Sequence, residues 1–95
     1  MYIQHNNIKI TCMQQNERKI LKKLAHRIKK LRKEESRSLN SFVFEHGLIT
    51  TATLSRIENG LVDVKFTTLV KLSQMLNISL SELFDGMTFK DFEEI

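Results

Sequence analysis

The chain has 95 residues, 41% of them hydrophobic, with three glycines and no proline, and one domain with one modest core and no second is expected of this length. The formal net charge is +4, and no apolar run approaches the ~18 residues of a membrane span. The first residues also lack the basic-then-apolar order of a secretory signal, so a cytoplasmic protein with no membrane partner is expected. Cys12 is the single cysteine, so there is no internal disulfide and no cysteine pair for a metal, and a buried or idle thiol is the expected state. His5, His26 and His46 fall in three separate segments without metal-ligand spacing, His26 expected on the wet side of its helix and His46 at a helix end. No nucleophile–base pair, phosphate loop or carboxylate dyad stands out. Catalysis is therefore not expected, nor is any metal or cofactor.

Residues 1–13 read as a leader. Tyr2, Ile3, Ile8 and Ile10 flank Asn6-Asn7, and a frayed terminus is expected there in preference to a weak hairpin. Residues 14–85 form the domain. Its first helix is expected to start near Thr11, where Thr11-Cys12-Met13-Gln14 has capping-box spacing, or at Asn16. Ile20, Leu21, Leu24, Ala25, Ile28 and Leu31 then repeat as one apolar stripe, and Glu34-Glu35-Ser36 ends the helix. Between Gln14 and Arg37 ten cations face Glu17, Glu34 and Glu35, a local balance of +7, while the rest of the chain sums to −3. A charge run is ordinarily a solvated face, but an excess of this size fits attraction to phosphate, which supplies affinity without sequence information.

A second, short helix is expected over Ser38-Leu39-Asn40-Ser41-Phe42-Val43-Phe44-Glu45-His46, capped by Ser38, with Phe42 and Val43 facing inward. Only a few residues separate it from the third. There, Gly47-Leu48-Ile49-Thr50-Thr51-Ala52-Thr53-Leu54-Ser55-Arg56-Ile57-Glu58-Asn59-Gly60 reads as a turn, a helix and a glycine stop. Thr50 is placed to cap it, Leu54 and Ile57 share an apolar face, and Gly60 allows a left-handed exit. Thr51, Ala52, Thr53, Ser55 and Arg56 remain outside. Short, hydroxylated or cationic side chains at the start of a helix suit close approach to a major groove.

Leu61-Val62-Asp63-Val64-Lys65 has too little helical spacing to be more than a connection. Phe66, Leu69, Val70, Leu72, Ser73 and Leu76 mark a fourth helix with Asn77 as its left-handed terminator. Ser79-Leu80-Ser81-Glu82 opens a fifth, through Leu83 and Phe84. Residues 86–95 form a tail in which Thr88-Phe89-Lys90-Asp91 could start one more turn. Phe89, Phe92 and Ile95 would then either meet a partner or another copy, or fold back onto the domain.

The five-helix order and several strings resemble the XRE-type, phage-repressor-like helix-turn-helix family over about residues 16 to 84. The strings are Leu31-Arg32, Phe42 to Leu48, Leu54 to Gly60, and Asn77 to Phe84. The resemblance implies an all-α, compact five-helix DNA-binding domain with the helix-turn-helix at helices 2 and 3. It implies recognition by Thr51, Ala52, Thr53, Ser55 and Arg56, a phosphate contact at Ser38 to Asn40, and an ion pair of Arg32 with Glu58. An arginine fork can hold a carboxylate in two hydrogen bonds and tolerates burial when paired. Three positions depart from the pattern. Leu39 replaces a glutamine, leaving backbone N–H groups or Asn40 for phosphate. Val43 replaces an alanine where helices 2 and 3 approach. The run from Gly47 to Leu54 is one residue long, so Thr50 and Thr51 can exchange the roles of cap and base contact.

The function so implied is a sequence-specific transcriptional regulator, a repressor, binding an inverted-repeat operator on double-stranded DNA as a homodimer. An antitoxin or restriction-controller type of autoregulator is the related alternative. A protein-interaction adaptor using the Phe89 and Phe92 tail or the first helix is the alternative of a different class.

Overall fold

A computed structural model describes the backbone of residues 2–35 and 38–90, and the side chains of 15–35 and 38–90. Among these residues the chain forms five helices and no strand: α1 (Tyr2–Glu35), α2 (Leu39–His46), α3 (Thr51–Glu58), α4 (Phe66–Met75) and α5 (Leu80–Leu83).

The first helix corrects the expected start. It begins at Tyr2 and runs 34 residues, so Thr11 and Asn16 lie inside it and the backbone around Asn6-Asn7 is helical, not a hairpin. The physical reason is an absence of stops. The chain has no proline, and its first glycine is Gly47, so once the packed half of α1 is nucleated each further residue is added at little cost. The expected environments of His5 and Cys12 concern side chains outside the described residues.

The apolar stripe of α1 forms one wall of the core. Leu24, Ala25 and Ile28 are buried, while Leu31 packs against them from the rim. Phe42 of α2, Leu54 and Ile57 of α3, Leu72, Met75 and Leu76 of the α4 region and Leu83 of α5 complete the core. α1 packs on α2 and α3, α2 on α3, and α4 on α5. Phe66 does not join this core. It opens α4 and is 67% exposed, because the first turn of that helix lies beyond the contact that buries Leu72 and Met75.

Local chemistry sets the helix ends. Ser38 and Thr50 cap α2 and α3, each accepting the N–H three residues on, from Ser41 and Thr53, at 3.1 Å. Ser79 and Glu82 form a full capping box on α5, with Ser79 Oγ accepting from Glu82 N–H and Glu82 Oε1 accepting from Ser79 N–H. Asn77 takes φ 58°, the left-handed conformation that asparagine tolerates best among non-glycine residues. The last described residues, Met87 to Lys90, have no regular secondary structure. Thr88 to Lys90 add no helical turn, and Asp91, Phe92 and Ile95 lie outside the described residues.

Candidate nucleic-acid interface

The link between α2 and α3 is built on Gly47, whose φ of 64° is left-handed and whose N–H donates to Val43 O at 2.7 Å. The turn then holds its additional residue by splitting two hydrophobic neighbours. Ile49 packs against the core, and Leu48 is pushed outward to 42% exposure. Thr50 follows as the N-cap of α3.

This placement assigns the two threonines. Thr50 Oγ1 accepts from Thr53 N–H at 3.1 Å and donates to Thr53 Oγ1 at 2.9 Å, so its hydroxyl is committed inside the turn. Thr51 is exposed with no hydrogen bond to another described side chain. Ala52 and Arg56 are exposed, one turn apart on the face opposite Leu54. Thr53 and Ser55 are half-buried on the two flanks. Asn59, beyond the helix end, donates from Nδ2 to Ser55 O at 2.7 Å and reaches Ser55 Oγ at 3.5 Å. It thereby orders Ser55 on that flank. Along the sequence Asn59 reads only as part of the helix stop, and no spacing points to this contact.

The start of α2 repeats the arrangement. Ser38 Oγ donates to Ser41 Oγ at 2.9 Å while accepting from Ser41 N–H, and Ser38 and Asn40 are both exposed. No acidic residue occupies the first turn of α2 or α3, so the positive end of each helix dipole is left uncompensated.

Beneath α3 lies a buried ion pair. Arg32 Nε donates to Glu58 Oε2 at 2.9 Å and Nη2 donates to Oε1 at 2.6 Å, with side chains only 5% and 4% exposed. The two parallel bonds satisfy the carboxylate in plane and fix the rotation of α3 against α1. The hydrogen bonds to Glu58 raise the Arg32 pKa, burial opposes them, and the attraction of the carboxylate adds to the rise. The guanidinium stays charged.

Several cations of the basic segment are engaged within the protein. Arg27 Nε donates to Leu83 O at 3.0 Å and Nη2 to Glu82 O at 2.7 Å, fastening the last carbonyls of α5. Lys23 Nζ donates to Thr88 O at 3.2 Å and stands 5.4 Å from the Phe89 ring centroid. The described part of the tail thus lies back on α1. Fold-back of the tail was one of the two readings the sequence left open, but which cations it would engage was not legible, because a charge pattern does not show what lies opposite it.

His26 is exposed and His46 ends α2. The His46 ring packs on Phe42 at 4.7 Å between centroids. Its Nε2 is buried without a hydrogen-bond partner, and the nearest carboxylate oxygen, Glu35 Oε1, is 3.6 Å away, too far for a hydrogen bond. Among the described residues no His, Cys, Asp and Glu side chains gather in a group able to hold a metal, and no helix is long and apolar enough to cross a membrane.

Two short helices at a left-handed glycine turn, the second exposed along one polar face and pinned from below, define a helix-turn-helix domain. The helix-turn-helix family model matches residues 28–83, more than half of the chain. The protein belongs to this XRE-type helix-turn-helix family, a family of DNA-binding regulators. Comparison with curated proteins gives no match, and comparison with solved structures gives none.

Proposed function

We propose that this protein is a sequence-specific transcriptional repressor that binds an inverted-repeat operator as a homodimer, with α3 in the major groove. One observation carries the reading. The Thr51, Ala52 and Arg56 side chains are exposed on a helix whose orientation is fixed by the Arg32–Glu58 pair, so a small, rigid, donor-bearing surface is held ready for base edges. Ala52 and the threonine methyls suit thymine methyl groups, and Arg56 reaches base acceptors or phosphate. Ser55 and Thr53 flank that surface. Ser38 and Asn40 sit at the start of α2, where free backbone N–H groups can take a phosphate.

Homodimerisation follows from size, because one small module buries too little DNA surface for high specificity and two-fold pairing doubles it. The role is binding rather than catalysis, exerted in the cytoplasm. Selection of bound sequences from random duplex DNA at a fixed salt concentration tests the reading. The expected product is an inverted repeat with half-sites about 34 Å apart. Failure to select any sequence would overturn specific recognition, and an asymmetric site bound one-to-one would overturn the dimer.

A further inference from the structure

We infer that one flank of α1, the row Arg18, Lys22 and Lys29, is a second DNA-contacting surface that takes duplex phosphates alongside the groove occupied by α3. This inference rests on the DNA-binding reading above and assigns the basic charge of α1 within it.

Two ridges of α1 carry cations whose surroundings the structure fixes. Residues spaced by four and three share a ridge, and Lys23, Arg27 and Leu31 form the one turned toward α5 and the tail. Lys23 and Arg27 donate there to the carbonyls of Thr88, Glu82 and Leu83. Arg18, Lys22, Ala25, Lys29 and Arg32 form the other. Its orientation is fixed at three places: Arg32 holds Glu58 at the end of α3, Ala25 is 4% exposed, and the stem of Lys22 lies against Gly60. This ridge therefore borders α3. On α3 the side nearest to it is that of Glu58, which also carries Ser55 and Asn59, next to the exposed Ala52–Arg56 face.

Arg18, Lys22 and Lys29 are exposed, and none makes a hydrogen bond or ion pair with another described residue. Their positive charge beside a helix aimed at DNA complements the phosphate rail that borders a major groove. Cations of this kind neutralise phosphates and release counterions without reading sequence. Lys19 and Lys30 are also exposed, but they sit on the side of α1 opposite Ile28, away from α3.

The test compares two variants on the selected site in a duplex extending one helical turn beyond it: Arg18→Gln/Lys22→Gln/Lys29→Gln and Lys19→Gln/Lys30→Gln. Glutamine keeps the stem of Lys22 on Gly60, and thermal unfolding of both variants checks the fold. For the triple variant the log–log salt slope of binding should shrink by about 0.9 for each phosphate that is no longer neutralised, with the selected sequence unchanged. The double variant should keep the wild-type slope. An unchanged slope in the triple variant would overturn the inference, as would an equal decrease per charge in both variants, which would mean a diffuse field. So would loss of wild-type binding to anionic phosphatidylserine vesicles in the triple variant without a change on DNA. If the wild-type chain selects no sequence at all, the functional reading fails first, and the result is distinguishable from these.

Discussion

Gly60 and Lys22 meet backbone to side chain across the contact between α3 and α1. A Cβ on Gly60 would stand 3.2 Å from Lys22 Cγ and 3.4 Å from Lys22 Cα, and Gly60 itself takes φ 68°. Glycine is needed there twice over, once for conformation and once for space.

Gly60→Ala should therefore destabilise the fold more than Gly47→Ala. The backbone term alone, a left-handed residue with a Cβ, costs about 1–2 kcal/mol at either site. At Gly47 nothing lies within 4 Å of the added carbon, whereas at Gly60 the helix contact must also open. Urea unfolding of the two variants measures the difference. Equal destabilisation would show that the approach to Lys22 relaxes freely.

The Arg32–Glu58 pair predicts an asymmetry between single and double replacements. Glu58→Ala leaves a buried guanidinium without its partner and should cost ~3 kcal/mol. Replacing both residues by apolar ones of similar volume, Arg32→Met with Glu58→Leu, should cost much less. A single variant within a few tenths of a kcal/mol of wild type would argue that the charge escapes to solvent.

Thr50 and Thr51 separate stability from recognition. Thr50→Ala removes the cap of α3 and should lower unfolding free energy by ~1 kcal/mol. Thr51→Ala should leave stability almost unaltered and cost ~1–3 kcal/mol of binding on the selected operator, with little effect on random DNA. Paired denaturation and binding titrations distinguish these. Equal weakening on both DNAs would remove Thr51 from base readout.

Arg27 acts on the far side of the domain. Arg27→Met keeps the stem but removes two donors from the carbonyls of Glu82 and Leu83, a loss of about 1 kcal/mol after allowance for partial exposure. Hydrogen exchange should quicken in α5 ahead of α1 and α3. Uniform acceleration across all helices would instead mean that α5 opens only with the whole fold.

Most of the helical order was legible along the chain, because caps and stops are local chemistry. Ser38, Gly60, Asn77 and the Ser79–Glu82 box act through neighbours a few residues away, and the apolar spacing of Leu24 and Ile28, or of Leu54 and Ile57, marks which side turns inward. The start of α1 was not legible. Capping-box spacing at Thr11 is a weak signal when no proline or glycine interrupts the helix, and propagation outruns it. Tertiary structure alone decided how the basic residues divide. Lys23 and Arg27 look like their neighbours in sequence, yet packing turns them to backbone carbonyls of α5 and the tail, whereas the family resemblance already marked Arg32 as the partner of Glu58. Packing also fixed Ile49 inside and Leu48 outside, which determines that Thr50 caps and Thr51 is exposed. A side chain's distant partner depends on where the whole core places each helix face, and that information is not contained in local spacing.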